Sequence, residues 1–262
     1  MCTRLQGGQK MTRIIGIFSG KGGVGKTTTV INLSAALMSF GKNVIAIDAD
    51  IKMSCLGLQL GMYYFPVTLN DVLMEKANIY EALYIHSSGL RIIPASISVT
   101  DANISGLKKV LNDPFLEDKI VLVDAPPGVE KNALLVLRTC PEVLLVTTPE
   151  IPAVTDVMKI ISLCKETKTK PLGIIVNMYK KRERDQVSIE EIETTCGLSV
   201  IGVVPENKII KKGIFKGIPS VFLNQNSSSS IAFKKIAALL IGAKYEPSRL
   251  DLLKGFLGGF KK

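Results

Sequence analysis

The 262-residue chain has no tryptophan and one histidine, His86, in a loop-like stretch without a Cys or His neighbour to share a metal. Its five cysteines, Cys2, Cys55, Cys140, Cys164 and Cys196, form no C-x-x-C pair. A zinc ribbon or a dedicated intrachain cluster site is therefore not expected, and each cysteine reads as a reduced, mostly buried thiol of a cytoplasmic protein. No run of about 20 apolar residues occurs, so no membrane-spanning helix is expected. Residues 1–10 lack the apolar core of a secretory signal and read as a disordered tail ahead of a second methionine, Met11. There is no internal repeat, and the one low-complexity patch, Ser227 to Ser230, is placed to end a loop and cap a helix.

What is present suits a soluble globular protein: 47% hydrophobic and 21% charged residues, in a chain long enough for one large α/β domain. The net charge of +10 favours an anionic partner, whether nucleotide, nucleic acid or anionic lipid. Apolar β-rich runs alternate with helical patterns. Strands are expected at Arg13 to Ser19, Asn43 to Asp48, Leu90 to Pro94, Lys119 to Asp124, Glu142 to Thr147, Pro171 to Asn177 and Val200 to Val204. Helices are expected at Lys26 to Phe40, Val154 to Glu166 and Ile231 to Ala243. Continuous apolar strands such as Ile120 to Val123 and Val143 to Val146 are the kind buried on both faces. The alternation implies a doubly wound, mostly parallel sheet with helices on both faces, and ligands at the carboxyl ends of its strands.

At the first such end, Gly20-Lys21-Gly22-Gly23-Val24-Gly25-Lys26-Thr27 matches the phosphate-loop pattern G-x-x-x-x-G-K-[ST], with a strand before it and a helix after it. Glycines let the backbone curl so that successive N–H groups face an anion, and the following helix adds its positive end. Lys26 is expected on the β- and γ-phosphates of ATP, and Thr27 on Mg²⁺. Two acidic sites fall at neighbouring strand ends: Asp48-Ala49-Asp50, and Asp124 ahead of Ala125-Pro126-Pro127-Gly128. Mg²⁺ takes one or two carboxylates and keeps several waters, which suits Asp124 and, beside it, Asp48.

Lys21 through Thr28 resembles the variant phosphate loop of the MinD/ParA ATPases, whose extra lysine is here Lys21. The resemblance implies that Lys21 reaches the nucleotide of a partner subunit, so that ATP drives homodimerisation. It also implies that Asp50 orients the attacking water and that Thr28 contacts the nucleotide. Asn177, Pro205 and Glu206 match the family's adenine-side residues, and an amide such as Asn177 can meet adenine's donor–acceptor edge. Two positions depart from the pattern: Cys55 replaces an asparagine that organises the active dimer, and Met178 replaces an arginine after Asn177. The motifs run from Ile14 to roughly Asn207.

Residues 11–245 thus read as the ATPase domain and 246–262 as a linker and helix. Ser248 and Asp251 form an S-x-x-D capping box. On a helical wheel Leu250, Leu253, Phe256, Leu257 and Phe260 share one face, opposite Lys254, Lys261 and Lys262. That is the pattern of an interfacial helix on an anionic membrane, which MinD proteins resemble. The leading expectation is a MinD-like ATPase that cycles on and off the inner face of the cell membrane and positions cellular components, with an activating protein partner. The alternatives are a ParA-like partition ATPase that binds DNA through Lys208, Lys211, Lys212 and Lys216, and an iron–sulfur or electron-transfer ATPase in which Cys140 bridges two subunits.

Overall fold

The computed structural model describes residues 12–98, 103–181 and 185–247. The expected tail at 1–10 and the expected amphipathic helix at 248–262 lie outside the described residues. The strands are β1 (Arg13–Phe18), β2 (Val44–Asp48), β3 (Tyr84–Ile85), β4 (Arg91–Ile93), β5 (Ile120–Asp124), β6 (Glu142–Thr147), β7 (Lys170–Tyr179) and β8 (Val200–Pro205). They form one sheet in the order β3-β4-β2-β5-β1-β6-β7-β8. Every pairing is parallel except the short edge strand β3 on β4. The helices are α1 (Lys26–Ser39), α2 (Leu56–Gln59), α3 (Leu69–Leu73), α4 (Leu107–Leu111), α5 (Lys131–Thr139), α6 (Ile151–Thr167), α7 (Ile189–Cys196), α8 (Lys208–Lys216), α9 (Ser220–Leu223) and α10 (Ser228–Leu240).

The central strands are buried on both sides, and successive residues feed different cores because side chains alternate across a strand. Ile45, Ile47, Val121, Val123, Val143 and Leu145 pack into one apolar cluster. Val44, Ala46, Leu122, Leu144, Ile15 and Ile17 pack into the other. The second cluster also takes Val30, Leu33 and Leu37 of α1 and Phe233 and Ile236 of α10. Helix α1 is buried along nearly its whole length. Its buried Asn32 stays satisfied: Nδ2 donates to the Thr28 carbonyl, and Oδ1 accepts from Ser220 Oγ at 2.7 Å and Val221 N at 3.2 Å.

Local chemistry explains where elements differ from the sequence pattern. Helix α10 starts three residues before Ile231 because the Ser227 hydroxyl accepts from the Ser230 N–H. Strand β7 runs two residues past Asn177, through Met178 at φ 57°. The edge strand β3 carries too short a run to stand out in the sequence. Helix α10 runs back from the carboxyl ends of the strands to their amino ends. There the Arg13 guanidinium donates to the Leu240 carbonyl and pairs with Glu142 at 2.6 Å. Tyr245 then packs edge-on against Phe40 with ring centroids 5.7 Å apart. The described chain therefore ends away from the phosphate loop.

Helix α10 comes so close to β8 that a Cβ built on Gly202 would lie 2.3 Å from Ile236 Cγ1. Ile236 is fully buried and has little room to yield. Gly202→Val should therefore destabilise the fold by about 1–3 kcal/mol, read as a lower urea midpoint.

Candidate functional site

Strand β1 lies between β5 and β6, so the loop leaving it opens at the middle of the sheet's carboxyl edge. The loop turns through Gly23 (φ 83°) and Gly25 (φ 88°), and Gly25 is the N-cap of α1. A side chain at Gly25 would be both strained and blocked, because its Cβ would fall 2.1 Å from Asn177 Nδ2. Nothing lies within 4 Å of a Cβ built on Gly22 or Gly23. Asn177 is buried and donates from Nδ2 to the Val24 carbonyl at 2.8 Å, so β7 braces the loop from beneath. The residue pattern around Asn177 points to a base contact and carries no sign of this bracing bond.

Lys26 begins α1, and its Nζ lies 2.5 Å from Asp124 Oδ1, both side chains being buried. The β2–β5 register sets Asp48 directly beside Asp124. Asp48 is fully buried, and both its oxygens are engaged. Oδ2 accepts from Ser54 Oγ at 2.8 Å and from the N–H groups of Cys55 and Leu56 at 3.1 Å; Oδ1 accepts from Asp50 N at 3.1 Å. Asp48 thus folds the following turn and caps α2. Burial pushes its carboxyl up to about 7, and the Asp124 charge adds to this, against the pull of Leu56 N–H, Ser54 and Lys26.

Lys26, Thr27, Thr28, Asp48, Asp50 and Asp124 all border one cleft of about 390 Å³. Cys55, Gln59 and Met178 also border it. Gln59 was missed in the sequence because it belongs to no phosphate-loop pattern. Asp50 Oδ1 accepts from Met53 N at 3.1 Å. Among the expected site residues, Pro205, Glu206 and Lys21 do not line this cleft. Pro205 lines a separate cleft with Tyr179, Lys181 and Gly202, and the Glu206 carboxylate lies 3.7 Å from Lys211 Nζ. Lys21 is not among the cleft-lining residues; its Nζ pairs with Glu150 Oε2 at 3.0 Å on the exposed rim. Cys140 is buried and its thiol is pushed up to about 12 by burial, so as folded it is not placed to bridge two subunits.

A family model described as "ParA: NUBPL iron-transfer P-loop NTPase" matches residues 10–241. The chain belongs to the MinD/ParA family of P-loop NTPases. An uncharacterized ATP-binding protein of Methanocaldococcus jannaschii is 39% identical, over 96% of both chains. The crystal structure of the Pyrococcus furiosus cell division ATPase MinD superposes with a TM-score of 0.83 at 36% identity, covering 88% of this chain and 99% of that one. The septum site-determining protein MinD of Pyrococcus horikoshii, complexed with Mg-ADP, gives a TM-score of 0.81 at 34% identity, covering 93% of this chain and 99% of that one.

The residues of this MinD-like cleft fit a magnesium nucleotide. The glycines at 22 and 23 leave open the space that side chains would fill, beside a helix N-terminus. One cation, Lys26, sits among two buried carboxylates, so ionising both leaves an excess of negative charge that a divalent ion would offset. Among the described residues no group of three or more His, Cys, Asp or Glu gathers to hold a metal by protein ligands alone. Mg²⁺ needs no such group, since it retains waters and takes phosphate oxygens.

The raised Asp48 carboxyl has a consequence for stability. Between its ordinary value of 3.8 and about 7, the folded chain holds a proton that the unfolded chain has released. Folding therefore becomes less favourable as pH rises through that window, by at most about 1.4 kcal/mol per unit. Urea unfolding in EDTA should show this decline in the wild type and a flatter profile in Asp48→Asn.

Proposed function

We propose that this protein is an ATPase switch that dimerises on ATP, binds an anionic membrane surface reversibly, and positions cellular components. The placement of Lys21 supports the dimer most directly. It stands outside its own cleft, on a rim that also exposes Met53 and Ile151, 74% and 72% accessible. Large exposed apolar side chains around a half-buried lysine at the cleft's rim suit a second copy of the same face. A lysine delivered across that interface would stabilise charge on the partner's transferring phosphate.

Within each subunit, loop N–H groups and Lys26 would hold the phosphates, and Thr27 and Asp124 would hold Mg²⁺ with its waters. Bound there, Mg²⁺ supplies charge neutralisation of the β- and γ-phosphates. Asp50, at the edge of the cleft, would orient the water, and Asn177 would border the base, with Pro205 and Glu206 meeting it from the end of the adjoining strand β8, outside the phosphate cleft. An activating protein would time hydrolysis. With light scattering as the readout, the wild type should dimerise only with ATP, Asp50→Ala should persist as an ATP-bound dimer, and Lys21→Ala should remain monomeric. A monomer under all conditions, in wild type and Asp50→Ala alike, would defeat the dimer switch.

Membrane binding rests on residues 248–262. No helix among the described residues is long and apolar enough to cross a membrane; the attachment proposed is peripheral, at the inner face of the cell membrane. One short apolar face binds weakly once the cost of ordering it is counted, and two on one dimer bind far better through effective concentration. Vesicle co-sedimentation should require ATP, weaken with salt and be lost on truncation after Glu246 while ATP binding survives.

A second reading, DNA binding, is favoured by α8. Phe215 is 90% exposed, with Lys208, Lys211 and Lys212 all exposed on the same helix. Residues three and four positions before Phe215 flank it on the helix surface, so a basic face surrounds an aromatic ring. ATP-dependent co-sedimentation with DNA, lost in Lys211→Glu/Lys212→Glu and unaffected by the tail truncation, would favour this reading over the membrane one.

A further inference from the structure

Helix α2 follows the Asp50-bearing turn and is only four residues long, so outside contacts must fix its place. The Asp48 carboxylate caps its N-terminus, and Leu56 and Leu60 sink into the core. Its far end makes one side-chain hydrogen bond to α1: Thr28 Oγ1 donates to Gln59 Oε1 at 2.9 Å. Among the described residues no other side-chain hydrogen bond joins α2 to the phosphate-loop helix. Thr28 and Gln59 both border the nucleotide cleft.

We propose that Gln59 is a positioning residue that couples occupancy of the phosphate loop to α2, and through α2 to the turn carrying Asp50. The inference rests on the nucleotide reading above. A threonine hydroxyl has one proton to give and two lone pairs to offer. A phosphate oxygen brought to Thr28 competes with Gln59 for that proton. Among the described residues, the Gln59 NH₂ group makes no hydrogen bond. When the proton is taken, the amide turns and donates to Thr28 Oγ1, so the tie survives with its polarity reversed. An amide can play both parts, whereas a carboxylate only accepts and an aliphatic side chain does neither. Cys55, one helical turn earlier on the same cleft wall, offers only a weak donor and a weak acceptor. Gln59 therefore supplies the amide that this wall otherwise lacks.

The test compares wild type, Gln59→Leu and Gln59→Glu, using ATP calorimetry, steady-state turnover and amide hydrogen exchange with and without Mg-ATP. In Gln59→Leu, Kd for ATP should stay within about threefold while kcat falls roughly tenfold, because phosphate binding remains and the Asp50 turn loses its tie. Exchange should slow on ATP binding at residues 20–28 in all three proteins, and at 50–60 in the wild type alone. Gln59→Glu, able to accept but not donate, should fail to restore kcat. Equal kcat and equal ATP-dependent slowing at 50–60 in Gln59→Leu would overturn the inference while leaving nucleotide binding intact. Absence of any effect at 20–28 in the wild type would overturn the nucleotide reading, and this inference with it.

Discussion

One cation and two carboxylates share the buried heart of this site, and the rest of the arrangement answers to their charge. Lys26 lies against Asp124, with Asp48 alongside in the adjacent strand. Burying such groups is costly unless each is paired and hydrogen-bonded. Asp48 meets that cost by accepting bonds from Ser54 and from the backbone of Asp50, Cys55 and Leu56. The same bonds shape the turn carrying Asp50 and start α2. A single charge constraint thus reaches from the phosphate loop into the neighbouring turn.

The fold delivers these groups through strand order. With β1 between β5 and β6, and β2 beside β5, three strand ends converge where Lys26, Asp124 and Asp48 stand. The two apolar clusters hold the sheet rigidly between helices, so the strand ends are fixed by packing. The loops they carry are more open: Met53 and Ile151 are largely exposed on the rim. A rigid sheet with an exposed apolar rim suits the second subunit that is proposed to complete the site.

Much of this is legible in the amino-acid sequence. Apolar runs such as Ile120 to Val123 mark buried parallel strands, and the glycine-lysine spacing marks the phosphate loop, because both are local patterns with few other uses. The short edge strand β3 has no such signal. Neither has the bond from Asn177 to the Val24 carbonyl, which joins residues 153 positions apart and depends on β7 passing beneath the loop. Gln59 is invisible for the same reason: its meaning comes from Thr28 across the cleft. The engagement of both Asp48 oxygens arises from a turn whose shape no residue spacing encodes.

The central claim is that this charge cluster exists to receive a magnesium nucleotide. Titration calorimetry of ATP into wild type and Lys26→Ala, each with Mg²⁺ and with EDTA, tests it most directly. The account predicts saturable binding to the wild type that strengthens with Mg²⁺, and none to Lys26→Ala in a protein that still unfolds cooperatively. Undiminished ATP affinity in Lys26→Ala, or wild-type binding indifferent to Mg²⁺, would contradict it.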